Sequence, residues 1–561
     1  MWRLVFSVLL ALPSLSVSAA DIVFRNGDVY TVDATRSWAS AVAIEGNQIV
    51  YVGGEDGVQS FINENTDVID LDGRMLLPGF HDGHLHPMGG GEALSKLALD
   101  GVYDREDLFS RIQTYAEANP ELPWVLGQGW IEAPFLPAGV PNKQMLDRLV
   151  PDRPAFFYNA SHHQAWANSK ALEIAGITAA TPDPENGVID REEDGTPSGS
   201  LHESAMDLVR THVPETTDQD RVVSVGQALD TMARYGITAF MDAGSSPESE
   251  RAFSTLHNQG AVTARAVLCQ RFHEDIDDET QIAAMLVRRQ QLDHEFLRAT
   301  CVKLMLDGIV EHHTSALLEP YADKPESRGM IFMQPDRVNR VVEKLDALGF
   351  QIHVHSIADR STRVALDAFE NAIRVNGFRD ARPTQAHLQL VNPADIPRFR
   401  ALGVIPNISP IWMRLDFWEQ MAIDAIGPER GAQLFNAQDY LRHGGNLVWG
   451  TDWSVTSLAP LEGIETAVTR RHLGGVNPGN MQTDKTWMPD QTLNLEQAIA
   501  AYTIQGAYLM HMEDKTGSIE VGKFADLVVL EENLFEIPAL EIHSVNTDLT
   551  VFDGQIIYRR Q

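Results

Sequence analysis

PGFHDGHLHP, residues 78–87, places three histidines and an aspartate within six positions, directly after a Pro-Gly turn. In an extended strand His84 and His86 point to the same side, so both imidazoles can bind one cation. Taken alone, the pair also fits a polar loop that happens to be rich in histidine. The choice depends on whether further ligand residues occur in matching positions elsewhere in the chain.

Further ligand residues stand at the ends of apolar runs. His355 ends QIHVH, His387 ends PTQAH and Asp452 ends NLVWGTD. In a closed parallel barrel the carboxyl ends of the strands meet on one rim, so these side chains converge with the first pair. Lys303 lies inside the run CVKLML, where a lysine is costly to bury unless it is paired, neutral or modified. We therefore predict one metal site formed by His84, His86, His355, His387 and Asp452, with Lys303 on a neighbouring strand.

Residues 78–515 alternate short apolar strands with amphipathic helices, which predicts an α/β fold with a parallel sheet. About eight repeats favour a (β/α)8 barrel of the TIM type. A doubly wound open sheet is the alternative, but no glycine-rich phosphate loop follows a strand. Residues from about 100 to 225 are rich in proline and interrupt the rhythm, so we predict an insertion over one face. The candidate strands are 124–130, 155–161, 237–244, 264–272, 301–308, 351–356, 383–390, 403–409 and 446–452.

The two ends of the chain share a strand pattern of period two. Residues 21–77 alternate apolar and polar side chains between Gly-containing turns, and residues 516–561 do the same. GNQIVY at 46–51 is echoed by DGQIIY at 553–558. These features predict a small β-sandwich domain built from both chain termini, with the barrel inserted between them.

The first 20 residues, MWRLVFSVLLALPSLSVSAA, read as a signal peptide. Arg3 supplies a positive start, the apolar run that follows is too short to span a bilayer, and small residues precede a cleavage site. We expect an exported protein, periplasmic or secreted, with no membrane anchor.

The amino-acid composition limits the classes of binding partner to expect. In 561 residues, 78 acidic side chains against 44 basic ones give a formal net charge of −34, which repels nucleic acid and anionic membranes. We expect a small-molecule substrate and no nucleic acid, and the sequence is compatible with a homo-oligomer. Cys269 and Cys301 both lie in apolar runs, so we predict buried free thiols rather than a bridge.

Several blocks together resemble the amidohydrolase superfamily, and within it the metal-dependent amidohydrolase 3 branch that includes N-substituted formamide deformylases. The resemblance runs from about residue 22 to 561 and lies in the order and spacing of the blocks. They are LLPGFHDGHLHP, GQGW, LDRLVPDRPAFFYNASHHQAWANSKALEIAGI, DGTPSGSLHESA, VKLMLDG, HVHSIADR, QAHLQ, GTDWSV and, near the end, TGSIEVGKFADLVVL.

The resemblance implies a role for each predicted ligand. His84 and His86 match the first-strand ligands, and Asp452 matches the aspartate after strand eight. His355 and His387 match the ligands of strands five and six. Lys303 matches a fourth-strand lysine that is carboxylated in binuclear relatives, although some relatives work with a single metal. Imidazole and carboxylate ligands suit zinc, with manganese, iron and cobalt as alternatives.

The implied chemistry is hydrolysis of non-peptide carbon–nitrogen bonds, in N-acyl, N-formyl or cyclic amides. Asp452 is the candidate catalytic base, which takes a proton from water and passes it to the leaving nitrogen. His163, Trp130 and Glu203 are the candidate substrate-binding residues, and Trp130 is expected to form an apolar wall. Two alternatives remain open: an ester or lactone hydrolase using the same site, and a non-catalytic periplasmic binding protein.

Overall fold

The computed structural model describes residues 19–94, 96–99, 101–135, 140–160, 164–184, 187–214, 216–475 and 485–561. Residues 1–18, which hold most of the predicted signal peptide, lie outside the described residues. Within the described residues, each helix is either too short or too polar to cross a lipid bilayer.

Eight parallel strands form the central sheet, and each pairs with its neighbours in chain order. In chain order the strands are β1 (Phe80–Leu85), β2 (Ile237–Ser245), β3 (Arg265–Arg271), β4 (Leu297–Met305), β5 (Gln351–Ser356), β6 (Thr384–His387), β7 (Ile405–Ile408) and β8 (Val448–Trp449). The strands are buried on both faces, as expected for a parallel sheet covered by helices, and β2, β3 and β4 are mostly apolar, whereas β1, β5 and β6 bury several polar side chains.

Contacts from β7 and from the segment after β8 to β1 bring the two edges of the sheet together. Thr451 donates its backbone N–H and its hydroxyl to the Asp82 carboxylate, the hydroxyl at 2.6 Å. Asn407 Nδ2 donates to the Gly83 carbonyl at 2.8 Å, and the Asp452 N–H donates to the His84 carbonyl at 2.7 Å. The sheet is therefore a nearly closed barrel, and the predicted TIM-type fold class is confirmed.

Helices cover the outside of this barrel and begin at recognisable caps. Thr217 and Asp220 form a capping box ahead of Asp218–Arg234, and Ser246 caps Pro247–Asn258. The longer barrel helices that follow are Asp278–Gln291, Pro335–Ala347, Asp359–Asn376, Phe417–Ile426 and Pro460–Thr469. Shorter ones are Ile396–Leu402, Pro428–Gly431, Ala437–Arg442, Leu495–Ala501 and Ile504–Leu509.

Two further sheets are built from the chain ends and pack face to face around one apolar cluster. The four-stranded sheet has the order Gln48–Gly53, Ala41–Glu45, Ile22–Arg25, Asp67–Asp70. The six-stranded sheet combines both ends of the chain in the order Gln555–Arg559, Thr547–Phe552, Leu527–Leu530, Met75–Pro78, Asp28–Tyr30, Trp38–Ala39. The two echoing segments, Gln48–Gly53 and Gln555–Arg559, each form an edge strand.

A separate sheet lies between β1 and β2 in the chain. Two of the nine candidate strands, 124–130 and 155–161, belong to this sheet and not to the barrel. Its order is Gly187–Arg191, Pro197–Glu203, Gln164–Ala167, Ala155–Asn159, Val125–Trp130, Leu97–Ala98. Helices Pro87–Leu94, Arg105–Ala118, Lys143–Leu149, Ser169–Ile174 and Asp207–Arg210 accompany it.

The amino-terminal end of the barrel is closed by helix Ile504–Leu509 and the residues after it. Arg298 Nη2 donates to the Met510 carbonyl, and Gln351 Nε2 donates to the Leu509 carbonyl. Met510 and Met512 pack inside the barrel with side chains of β2, β3, β4, β7 and β8. The open end is therefore the one at which the strands finish.

The prediction of two free thiols is wrong: Cys269 and Cys301 form a disulfide. The parallel register of β3 and β4 pairs the two cysteines directly, with Cα atoms 4.1 Å apart. Both side chains lie in the apolar interior of the barrel. The residues were correctly expected to be buried in strands, but the register that makes them neighbours is not visible in the sequence.

Candidate metal centre

The first two predicted ligands lie at the end of β1, where the strand leaves the barrel. His84 is buried and its Nε2 lies 3.4 Å from Asp452 Oδ1. His86 follows just after the strand, is partly exposed, and has its Nε2 3.1 Å from the same oxygen. The alternation of β1 therefore brings both imidazoles to one carboxylate oxygen.

Asp452 is held in place by its backbone. Its N–H donates to the His84 carbonyl, and its own carbonyl accepts from the Val455 N–H at 2.7 Å. Its φ of 56° lies in the left-handed region, as does the φ of 80° at His387, and such conformations cost about 1 kcal/mol each. Strain of this kind persists where surrounding contacts fix the chain, and it is common at functional sites.

His355 and His387 complete the ring from the ends of β5 and β6. The His387 ring lies 4.4 Å from that of His355 and 4.8 Å from that of His84, centroid to centroid. His387 Nδ1 is 3.8 Å from Asp452 Oδ2. His355 Nδ1 is 3.4 Å from Asp307 Oδ1, a carboxylate that also accepts from the backbone N–H groups of Ile357 and Ala358.

Lys303 reaches the same space from β4. Its side chain is buried, and burial lowers the pKa of Lys303 to about 7, with Arg271 acting in the same direction and Asp452 opposing it. Four strands and the loop after β8 thus contribute to one centre, and all six predicted ligands lie around it.

Burial keeps three of the imidazoles neutral. It lowers the pKa values of His84 and His387 well below the ordinary histidine value, and neighbouring histidines add to the effect. The pKa of His353 is lowered in the same way. At Asp452 burial acts to raise the pKa, but contact with His86 and the nearby His387 and Lys303 outweigh it, so the pKa is lowered. Neutral imidazoles beside an ionised carboxylate are the protonation states that a cation requires.

The geometry fits a divalent cation. Ligand atoms of His84, His387 and Asp452 all lie within 4.8 Å of one another. Asp452 Oδ1 is buried and faces His84 Nε2 at 3.4 Å and His86 Nε2 at 3.1 Å, but among the described residues it makes no well-aligned hydrogen bond. Polar atoms buried in this way carry a free-energy penalty unless an ion or water satisfies them. Imidazole and carboxylate donors together suit zinc and its neighbours.

Two supporting residues were missed as functional at the sequence level. His353 Nε2 lies 2.8 Å from His84 Nδ1, one layer deeper in the barrel. For His84 Nε2 to offer its lone pair to a cation, His84 Nδ1–H must donate to His353. Asp82 accepts from the N–H of His84 and from Thr451, and burial raises its pKa to about 7. The alternation of HVH and the aspartate of FHDGH were the available indications.

The three predicted substrate-binding residues lie in different parts of the chain. His163 lies outside the described residues. Trp130 is fully buried in the core of the inserted sheet, where its Nε1–H donates to the Phe157 carbonyl at 3.0 Å. It therefore packs within the insertion and is not an open wall of the pocket, which corrects that expectation. Glu203 is exposed at the end of Pro197–Glu203, paired in register with Gly187.

An aromatic side chain lines the rim beside the histidines. Trp412, in the loop after β7, stacks on the His387 ring with an interplanar angle of 16° and a centroid distance of 5.5 Å. Phe417 and Trp418, at the start of helix Phe417–Ile426, are exposed. This side of the opening offers an apolar surface.

A TIM-type barrel with histidine and aspartate ligands gathered at its strand ends is typical of the class of metal-dependent hydrolases. The sequence model of the Amidohydrolase family matches residues 67–558. The chain belongs to the Amidohydrolase family, and the resemblance drawn from its sequence blocks is confirmed.

Relatives cover nearly the whole chain. Protein LONG AFTER FAR-RED 3 of Arabidopsis thaliana is 28% identical, over 99% of this chain and 94% of its own length. N-substituted formamide deformylase of Arthrobacter pascens is 25% identical, over 96% and 98% respectively. A crystal structure of an uncharacterized metal-dependent hydrolase from Pyrococcus furiosus superimposes with a TM-score of 0.71 at 25% identity, covering 91% of this chain and 99% of that one.

Proposed function

We propose that the protein is a metal-dependent hydrolase of non-peptide carbon–nitrogen bonds, acting on N-acyl, N-formyl or cyclic amides. The observation that carries the proposal is the convergence of His84, His387 and Asp452, whose ligand atoms lie within 4.8 Å of one another at the open end of the barrel. The similarity to N-substituted formamide deformylase supports the amide as the bond attacked.

The proposed cofactor is one or two divalent cations, with zinc as the first candidate. His84, His86, His355, His387 and Asp452 would hold it, and Lys303 would join them, carboxylated if two ions are bound. A cation held there would supply a Lewis acid that polarises a carbonyl and lowers the pKa of a bound water to near 7. Its binding would satisfy the buried Asp452 Oδ1.

Asp452 is the proposed base. Its Oδ1 has no hydrogen-bond partner among the described residues, and its lowered pKa keeps the carboxylate ionised at neutral pH. It can take a proton from the attacking water and deliver it to the nitrogen as the C–N bond breaks, which leaves an acid and an amine. His353 fixes the orientation of His84, and Asp82 joins β1 to the loop that carries Asp452.

We also propose that the protein is exported to the periplasm or secreted. The amino-terminal segment supports this, and so does the disulfide between Cys269 and Cys301, since disulfides persist in oxidising compartments. The proposed partner is a small-molecule substrate.

The test measures metal content and turnover in the same preparation. The purified protein is assayed against N-formyl and N-acyl amides, hydantoin-like rings and lactones, before and after chelation. Amide hydrolysis should fall to background on metal removal and return with added zinc. Turnover that survives complete metal removal would contradict the proposal, and turnover of lactones alone would favour the ester alternative.

A further inference from the structure

Arg271 is a cation at the open end of the barrel that the reaction described above does not use. It is the last residue of β3 and pairs in register with Lys303 of β4. Two residues earlier on these strands, the Cys269–Cys301 disulfide lies inside the barrel. Because side chains two positions apart share a face, Arg271 points inward and reaches the opening beside Lys303.

The guanidinium of Arg271 is only loosely engaged. About a quarter of its side chain is exposed, at 26%. Among the described residues, its Nη2 donates two long hydrogen bonds to the Glu274 carboxylate, at 3.3 and 3.4 Å. In the described chain Nε and Nη1 donate to no protein acceptor. Burial lowers the pKa of Arg271, but a guanidinium starts so far above neutrality that it keeps its charge.

The opposite side of the opening has a different character. β3 and β7 lie four strands apart in a barrel of eight, so Arg271 and the loop after β7 face each other across the mouth. That loop presents Trp412, stacked on His387. A small amide with its carbonyl at the metal centre therefore has a cation near one end and an apolar ring near the other.

We propose that Arg271 is a carboxylate-binding residue that selects amides carrying a carboxylate close to the scissile nitrogen, such as N-acyl amino acids. This rests on the proposed amide hydrolysis and names its substrate class. The planar guanidinium donates to a carboxylate through two parallel N–H groups, and Nε and Nη1 remain available for this. In a protein of net charge −34 an anionic substrate needs such a local cation.

The experiment compares matched pairs of compounds. Each N-formyl or N-acetyl amino acid in a panel is paired with its α-carboxamide, which has the same shape without the charge. Release of the free α-amine reports cleavage of the acyl bond only. Binding of both members to the Asp452→Asn protein, followed by calorimetry, gives a second reading that needs no turnover.

Three variants separate the possible roles. Arg271→Gln should raise KM for carboxylate substrates by about 10- to 100-fold, the range of a hydrogen bond to a charged group, and change KM for carboxamides by less than about 3-fold. Arg271→Lys should recover part of the loss. Glu274→Gln, the matched control, frees the guanidinium from its competing carboxylate and should lower KM for carboxylate substrates by a few fold.

The outcomes are distinguishable. If carboxylates and carboxamides are cleaved and bound equally well by the unaltered protein, the inference is wrong while amide hydrolysis stands. If Arg271→Gln lowers kcat for both members alike, Arg271 acts through Lys303 and the inference is also wrong. If no amide is cleaved, the proposed function fails, and the calorimetric preference for carboxylates still decides the role of Arg271.

Discussion

β3 begins and ends with an arginine, and the two side chains are in opposite situations. Arg265, at the closed end of the barrel, is buried and donates to Asp526 and Asp553, with its guanidinium over the rings of Phe524 and Phe552. Arg271, at the open end, is partly exposed and shares one loose contact with Glu274.

The pKa values of Arg265 and Arg271 are shifted in opposite directions. At Arg265 burial acts to lower the pKa, but the pairs with Asp526 and Asp553 outweigh it and the pKa is raised. At Arg271 burial dominates and the pKa is lowered. Arg265 therefore stabilises the fold through two close ion pairs, although its Nη1 has no hydrogen-bond partner among the described residues. Arg271 has one weaker pair and is available to a ligand.

The strongest test of this division is Asp452→Asn at the open end. The amide keeps the shape of the side chain but cannot accept a proton, so kcat/KM should fall by about 10³-fold or more. Thermal unfolding should shift little, because Asp452 Oδ1 makes no hydrogen bond within the described residues. Steady-state kinetics and a melting curve on one preparation measure both. A large loss of stability with modest loss of turnover would reverse the assignment.

The opposite pattern is expected for Arg265→Met at the closed end. Removing one partner of a buried pair leaves the Asp526 carboxylate uncompensated, at a cost of about 3–5 kcal/mol of unfolding free energy. Denaturant unfolding monitors the loss, and kcat of the folded fraction should stay unchanged. The double variant Arg265→Met with Asp526→Asn is the control, and it should recover part of the stability. A loss of kcat in the folded fraction would show that the two ends are coupled.

His353→Gln tests whether a residue one layer below the ring belongs to the functional end. Loss of the 2.8 Å contact should let the His84 ring turn, so zinc affinity should drop by about 10- to 100-fold. Competition with a fluorescent chelator measures the zinc affinity. Gln351→Ala, a substitution deeper in the barrel, is the control. Unchanged affinity in His353→Gln would assign His353 to packing alone.

The smallest effect is expected at His81, which is buried close to Arg265 and Asp526. Burial lowers its pKa to about 4 from an unfolded value near 6.5. The unfolded chain therefore binds more protons between these values, so the contribution is complete above pH 6.5 and is lost as pH falls toward 4. At pH 5 the loss is about 2 kcal/mol.

His81→Asn should flatten that part of the pH–stability profile, measured by denaturant unfolding at pH 7, 6 and 5. The other buried histidines titrate in the same direction in both proteins, so the difference between the two profiles isolates His81. Parallel profiles would show that His81 keeps an ordinary pKa in the folded protein.

The fold and the ring of candidate ligands were accessible from the sequence because both follow from strand periodicity. His355, His387 and Asp452 each end an apolar run, and strand ends meet at one rim of a parallel barrel. The features that could not be predicted from the sequence depend on strand register and on which core a side chain is buried in. The disulfide needs Cys269 opposite Cys301, and the inward direction of Arg271 needs its pairing with Lys303. Trp130 was misjudged because the insertion has a core of its own.

The six-stranded terminal sheet has a consequence for the order of assembly. Met75–Pro78 runs directly into β1, yet its partner strand Leu527–Leu530 is made only after all eight strands of the barrel. The first strand of the barrel thus stays tethered to an unfinished sheet until that partner strand is made. A chain truncated before residue 527 should be recognised as misfolded and degraded, and should not accumulate as a shorter enzyme.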